Sequence, residues 1–437
     1  MKNADCPFGK FASFHKGHLK KLKNLCLHGN QLKGLSTEPK NIVKNKKETL
    51  MFSLDKILQR LFPKRHLDLT NSIGNLTQLE TLDLRSNKLK TLPDIIPERH
   101  LDLTNTGLKY LPESIGKHTK LKTLFLGLND LEELTKFIGN LTQLETLDLR
   151  SNKLETLPDT IGNLTRLKSI NLGRDEADFI DYGVNNKNQI KSLPESFGNL
   201  TQLKELDLEL NLLTTLPEFI GNFEKLERLN LRYNQLSNLP KSLEKLTALE
   251  YLDLGSNSLS ELPDSIGNML ELSRLDSGGN LLKKLPESIG NLKKLENLCL
   301  YGNKLKGLPN SIGNLSQLVT FHIDDNQLTE VPVTIGSLVN LRYLNLRDNQ
   351  LTELPITIGK LANLRELVLS NNQLTELPHT IGNMLQLEKL YISNNKITDL
   401  PKTLPNSTQI ISDGSENKMH QNAWVLAASN QVQWKRK

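Results

Sequence analysis

The feature that most constrains this chain is an internal repeat. From Leu203 to Leu387, the leucines that open successive copies lie 23 residues apart, and the copies read LxxLxLxxNxLxxLPxxIGNLxx. One copy is LRYLNLRDNQLTELPITIGKLAN, residues 341–363. A unit this short cannot bury an apolar core by itself, so the copies are expected to stack on one another in a continuous array.

Each part of the repeat predicts a local structure. LxxLxL predicts a short strand with alternate side chains on the same side, so Leu344 and Leu346 should face the interior and Asn345 should face outward. Asn349 follows at the turn, where its amide can satisfy backbone groups. LPxxIGxL predicts a return through a short helical turn opened by proline, with Gly359 at a position of positive φ.

This motif resembles that of the leucine-rich-repeat superfamily. The LPxxIGxL segment is similar to that of the intracellular Ras-group-related repeats and of bacterial leucine-rich-repeat proteins. The resemblance implies an α/β solenoid: a horseshoe with a concave parallel β-sheet and short helical or 3-10 turns on the convex face. It also implies a binding or scaffolding role, including roles in signalling, without naming a partner.

Departures from the repeat divide the chain into three regions. Residues 1–63 form a divergent basic region with one isolated repeat and, at 48–62, an apolar stripe of helical spacing that predicts a capping helix. Residues 64–401 form the array, with an insertion at about 175–187. Residues 402–437 are expected to be a C-terminal cap or tail. Within the array, Ser277 occupies a strand position that is leucine or isoleucine in other full repeats.

The charge is unevenly distributed. Residues 1–65 contain fifteen Lys and Arg and four Asp and Glu, a net charge of +11, whereas the whole chain carries +6. The remaining residues therefore carry −5, and the basic character belongs to the N-terminal segment. One alternative function is thus binding of an anionic membrane surface or nucleic acid through this segment, with nucleic acid the less favoured partner.

Composition favours the cytoplasm. The three cysteines are too few and too scattered for a disulfide framework, and neither a long apolar run nor an apolar signal stretch near the N-terminus is present. An exported effector would then need a route other than the usual signal peptide.

No catalytic chemistry is predicted. The sequence contains no GxxxxGK[ST] phosphate loop, HExxH, GxSxG or kinase signature. We therefore expect no enzyme activity, catalytic residue, small-molecule substrate, cofactor or metal site.

The concave strand positions are the expected contact surface, because Tyr and Arg there are the residue types most enriched at binding hot spots. The predicted partner-binding residues are Arg232, Tyr233, Tyr251, Asp253, Arg274, Tyr301, His322, Tyr343, Arg347 and Tyr391, and Phe179 and Tyr182 of the insertion are a second predicted contact. The sequence thus predicts a protein–protein interaction module or scaffold. The other alternative is a pathogen effector that binds a host protein through the same surface.

Overall fold

The computed structural model describes residues 23–26, 28, 79–87, 97–174 and 187–412. The chain divides into two compact units, Met1–Leu212 and Leu213–Lys437. The predicted capping helix, most of the insertion and the tail beyond residue 412 lie outside the described residues, so those expectations stay predictions.

The first unit contains a parallel sheet whose strands follow chain order. Each strand has three residues and pairs in register with the next, leucine against leucine or isoleucine at the central position. The strands are β1 (Asn24–Cys26), β2 (Thr81–Asp83), β3 (His100–Asp102), β4 (Thr123–Phe125), β5 (Thr146–Asp148), β6 (Ser169–Asn171) and β7 (Glu205–Asp207).

The second unit repeats this arrangement with in-register parallel strands, again in chain order. The strands are β8 (Arg228–Asn230), β9 (Tyr251–Asp253), β10 (Arg274–Asp276), β11 (Asn297–Cys299), β12 (Thr320–His322), β13 (Tyr343–Asn345), β14 (Glu366–Val368), β15 (Lys389–Tyr391) and β16 (Gln409–Ile411).

Short 3-10 helices of five residues connect successive strands on the side away from the sheet. All but the helix that follows Thr135 are preceded by proline, whose fixed φ suits the residue before the first helical turn. Their bounds in the described part of the chain are Glu113–Lys117, Lys136–Asn140, Asp159–Asn163, Glu195–Asn199, Glu218–Asn222, Lys241–Lys245, Asp264–Asn268, Glu287–Asn291, Asn310–Asn314, Val333–Ser337, Ile356–Lys360 and His379–Asn383. The predicted combination of a parallel sheet with short 3-10 turns is confirmed in each unit.

The core lies between the strands and the 3-10 helices. Leu344 and Leu346 are 0% and 1% exposed, whereas Asn345 between them is partly exposed, which confirms the predicted alternation. Ile358 and Leu361 close the core from the helix side, and both are fully buried. Each leucine buried in this way contributes about 1.5–3 kcal/mol, so the regular repeat of apolar positions accounts for the stacking.

The turn asparagines form a ladder between neighbouring repeats, as predicted. Asn349 donates from Nδ2 to the carbonyls of Ile323, at 3.0 Å, and Leu346, at 3.1 Å, and its Oδ1 accepts from the Leu328 N–H at 3.0 Å. Two of these three partners belong to the preceding repeat. The side chain therefore satisfies buried backbone groups that the turn leaves unpaired.

The ladder continues past the insertion in the first unit. Asn188 follows the inserted residues, yet its Nδ2 donates to Leu172 and Leu149 at 2.8 and 3.0 Å. Its Oδ1 accepts from the Leu154 N–H at 3.0 Å. The insertion thus enters the chain between a strand and its ladder asparagine, and the inter-repeat bonds are retained.

The prediction of positive φ at Gly359 is wrong. The left-handed residues instead precede the ladder asparagines, for example Tyr233 at φ 54° and Asp348 at φ 52°. A Cβ on Gly359 would collide with the backbone carbonyl of Thr380 in the next repeat. Glycine is needed there because adjacent 3-10 helices approach closely, and not because of its own backbone conformation.

Ser277 places a polar group in the core, as its sequence position suggests. The residue is 0% exposed, and its Oγ has no hydrogen-bond partner among the described residues. The equivalent positions of the neighbouring repeats hold Leu254 and Leu300, both fully buried. This position of the stack therefore holds an unsatisfied hydroxyl in place of an apolar side chain.

Candidate functional site

The outward side chains of β8–β16, together with the turn residues directly after each strand, form what we call the strand face of the second unit. Because paired strands are in register, equivalent residues of successive repeats stand in rows across the sheet. The strand face therefore presents side chains that lie 23 residues apart in sequence as immediate neighbours. All the predicted partner-binding residues of the array lie on it.

Arg232 reaches across several repeats. Its Nη2 donates to the Tyr301 hydroxyl oxygen at 2.9 Å, although the two residues are 69 positions apart. Gly255 and Gly278 occupy the intervening positions of this row. A Cβ on Gly278 would overlap the Tyr301 ring. The two glycines thus leave a shallow channel in which the arginine and tyrosine side chains lie flat and meet.

Two buried carboxylates hold Arg232 from below. Its Nη1 lies 3.3 Å from Asp276 Oδ2 and 3.7 Å from Asp253 Oδ2, and each aspartate is 3% exposed. The other oxygens accept backbone N–H groups, from Gly255 at 2.8 Å and Gly278 at 2.9 Å. Burial, and then the neighbouring Asp276 charge, raise the pKa of Asp253. The carboxylates therefore fix the position of Arg232 and are covered by it.

Tyr251 and Cys299 are shielded in the same region. The Tyr251 hydroxyl donates to Asp253 Oδ2 at 3.3 Å, and burial together with the Asp253 charge raises the pKa of Tyr251 to about 12. Burial and the Asp276 charge raise the pKa of the Cys299 thiol to about 12. Both groups are therefore neutral near pH 7, and Cys299 lacks the thiolate character of a reactive cysteine.

Aromatic residues occupy the next strands. The rings of His322 on β12 and Tyr343 on β13 are tilted against each other, with centroids 4.8 Å apart. On β15, burial and then the charge of Glu366 on β14 raise the pKa of Tyr391. These side chains are only partly buried, so each offers ring surface to a binding partner.

The structure brings most of the predicted residues into two groups. Arg232, Tyr233, Tyr251, Asp253, Arg274 and Tyr301 lie together on β8–β11, and His322 and Tyr343 form a pair on β12 and β13. Arg347 is set apart in an ion pair with Asp348, at 2.9 Å, and Tyr391 lies two strands from Tyr343. The predicted loop contacts Phe179 and Tyr182 lie outside the described residues.

Four residues that shape this surface are not among the predicted partner-binding residues. Asp276 supports Arg232, Gly255 and Gly278 make room for it, and Arg228 stacks on Tyr251 with its guanidinium carbon 4.3 Å from the ring centroid. The two glycines could have been found from the sequence, since they occupy the same repeat position as Arg232 and Tyr301 in the flanking copies. The buried state of Asp253 and Asp276 had none, because aspartate recurs at this strand position.

The helix side is more uniform. Nearly every 3-10 helix there repeats a buried isoleucine followed by glycine, and the exposed positions carry mixed polar and apolar residues. In the described ranges no helix is long and apolar enough to cross a membrane, and no cluster of His, Cys, Asp and Glu could hold a metal ion.

Comparisons with known proteins agree with this architecture. A leucine-rich repeat region profile matches residues 178–281, 219–298 and 331–412, and a leucine-rich repeat profile matches residues 78–98 and 143–164. A search of curated protein sequences finds no match.

Solved structures provide the stronger comparison. A leucine-rich-repeat protein of Leptospira interrogans is 30% identical, with a TM-score of 0.70 over 90% of this chain and 97% of that protein. The chain belongs to the leucine-rich-repeat superfamily. A plant peptide hormone receptor, RGFR1, solved in complex with RGF2, is 26% identical, with a TM-score of 0.60 over 90% of this chain and 70% of the receptor. YopM from Yersinia enterocolitica is 25% identical, with a TM-score of 0.58 over 79% of this chain and 71% of YopM.

Proposed function

We propose that this protein is a protein-interaction module that binds its partner on the strand face of the second unit. The observation that carries the proposal is the composition of that face: partly exposed tyrosines and arginines on consecutive strands, held in place by buried carboxylates and by ring contacts. Tyrosine supplies a large contact area with few torsions to freeze, and arginine supplies several donors in one plane.

Preorganisation supports the same proposal. Arg232 is already bonded to the Tyr301 hydroxyl and paired with buried carboxylates, so binding does not have to order its side chain. Asp253 and Asp276 contribute by fixing Arg232, whereas Tyr343, Tyr391 and Arg347 supply contact area further along the face. The receptor RGFR1 is a structural neighbour that was solved with a bound partner, which is consistent with recognition by this fold.

We further infer that the protein acts by binding and not by catalysis, because its sequence contains no GxxxxGK[ST] phosphate loop, HExxH, GxSxG or kinase signature. The effector alternative makes use of the same face and differs only in the source of the partner. The N-terminal alternative depends on residues 1–65, of which the structure describes residues 23–26 and 28.

The test is affinity capture from extracts of the source organism, followed by calorimetry with the purified partner. Changing Tyr343 and Tyr391 together to alanine should weaken binding by about 2 kcal/mol or more, a loss of roughly thirtyfold, if both are hot spots. The matched control changes Lys360 and Asn383, both exposed on the helix side, to alanine and should be nearly silent. If only the Lys360 and Asn383 variant lost binding, the partner would contact the helix side and the proposal would be refuted.

A further inference from the structure

Three side chains on neighbouring strands form a cationic row with an aromatic centre. Arg228, Tyr251 and Arg274 occupy the first position of β8, β9 and β10 and are direct partners in the strand register. The guanidinium carbons lie 4.3 Å and 5.3 Å from the Tyr251 ring centroid, within the range of cation–π contacts. Both arginines are exposed at the surface of the strand face. We call these three residues the arginine–tyrosine row.

Neither arginine of the row forms an ion pair within the described part of the chain. The aspartates of the neighbouring row, Asp253 and Asp276, are already engaged by Arg232 and by backbone N–H groups. They are also 3% exposed and beneath the surface. Two guanidinium groups therefore keep donors that the described residues do not use.

Three other cations on or next to the strand face differ in this respect. Arg347 pairs with Asp348 at 2.9 Å, Arg365 with Glu388 at 3.5 Å and Lys389 with Glu366 at 3.8 Å. These cations have carboxylate partners within the protein. The arginine–tyrosine row is thus a place on this face where positive charge is held in a defined geometry and left available.

We propose that the arginine–tyrosine row binds an acidic segment of the partner protein. A guanidinium matches a carboxylate through two parallel N–H donors, and stacking on Tyr251 restricts its orientation before binding. The two arginines lie two strand spacings apart, about 10 Å, which is too far for one carboxylate to bond well to both. An extended segment advances roughly 3.3 Å per residue and places alternate side chains on the same side, so acidic side chains two or four residues apart would face both groups.

This proposal rests on the proposed function, since it names the chemistry that the strand face recognises. Acidic protein is favoured over nucleic acid because tyrosines suited to protein contacts continue along the same face. The buried aspartates of the neighbouring row also give a mixed potential, which suits a defined pair of carboxylates better than a continuous phosphate backbone.

The experiment uses the full chain and a fluorescein-labelled decamer of glutamate, with affinity measured by fluorescence anisotropy. The N-terminal segment, at +11 over residues 1–65, will also attract this probe, so the readout is the affinity lost in variants of the row. Changing Arg228 and Arg274 together to glutamine should weaken binding about tenfold or more, because two charge-assisted contacts are lost. Changing Arg228 and Arg274 together to lysine should weaken binding less, since lysine keeps the positive charge but lacks the planar guanidinium that bonds a carboxylate through two donors.

The matched control changes Arg365 and Lys389 to glutamine. It removes the same charge from cations that have acidic partners and should alter the affinity by less than about threefold. Thermal melting of each variant checks that folding is intact. Equal losses in the two pairs of variants would overturn the proposal, because the row would then act only through net charge. A labelled deoxythymidine decamer that loses as much affinity as the glutamate decamer in the row variant would also overturn it.

The proposed function can be judged separately. If the captured partner still depends on Tyr343 and Tyr391 but ignores the row variants, recognition on the strand face stands and the acidic preference is wrong. If the row binds the glutamate decamer as expected while the captured partner ignores both the row and the tyrosines, the row binds acids and the partner contacts another surface.

Discussion

The ladder asparagines provide a sharp test of how the repeats hold together, and Asn349→Ala is the most informative change. Asn349 is 8% exposed and bonds to four backbone groups in two repeats. One of them, the Arg347 carbonyl, also accepts from the Asp325 N–H at 3.0 Å. The consequences of its removal differ among those groups. Ile323 O also accepts from Asn326 at 3.3 Å, and Leu346 O also accepts from Asn372 at 2.9 Å. Both carbonyls therefore keep one partner.

The Leu328 N–H loses the Asn349 acceptor and has no second one at this site. A buried donor left without a partner costs about 1–3 kcal/mol, and the space left by the amide adds roughly 1 kcal/mol. We therefore expect Asn349→Ala to lower the free energy of unfolding by about 2–4 kcal/mol. Asn345→Ala, four residues earlier and partly exposed on the strand face, is the matched control and should cost under about 1 kcal/mol.

Urea denaturation measures the loss of stability, and hydrogen exchange of a peptide covering Leu328 measures the local effect. A repeat array can lose cooperativity, so the local readout is needed beside the global one. Protection at Leu328 should fall in Asn349→Ala and remain in Asn345→Ala. Equal shifts of the urea midpoint in the two variants, or full protection of Leu328 in Asn349→Ala, would show that the ladder is not what couples the repeats.

Two further changes test the core and the helix side. Ser277→Leu should raise the free energy of unfolding by about 1–3 kcal/mol, since it removes a buried hydroxyl without a partner and restores the leucine of the flanking repeats. The control is Ser258→Leu at an exposed position. A urea midpoint that stays the same or falls in Ser277→Leu, relative to this control, would mean that the core has no room for the larger side chain. Gly359→Ala should cost about 1–3 kcal/mol or more, because its Cβ would collide with the Thr380 backbone. Gly307→Ala, whose Cβ would have no neighbour within 4 Å, should change the thermal midpoint little, and equal effects at the two glycines would contradict the close-approach explanation.

Much of the fold could be predicted because each copy of the repeat specifies its own strand, turn and 3-10 helix. The alternation of Leu344, Asn345 and Leu346 predicted which side chains face inward, and the position of Asn349 predicted its backbone bonds; the structure confirms both. The glycine of the IG dipeptide was misinterpreted because two causes favour glycine, positive φ and close approach. Only the distance to the next repeat distinguishes between them, and sequence does not contain that distance.

The candidate site follows the same division. The sequence by itself determined the superfamily, the rows of outward residues and the enrichment of tyrosine and arginine on one face, since these follow from a period of 23 residues and a strand alternation of two. Only the tertiary structure decided that Arg232 reaches Tyr301 over two glycines and that Asp253 and Asp276 are buried beneath it. It also decided that Arg228 and Arg274 flank Tyr251 with no acidic partner in the described part of the chain. The physical reason is that these contacts join side chains of different repeats. They therefore depend on how the repeats stack and on the space that each neighbour leaves, and a single copy of the motif encodes neither the stacking nor the space.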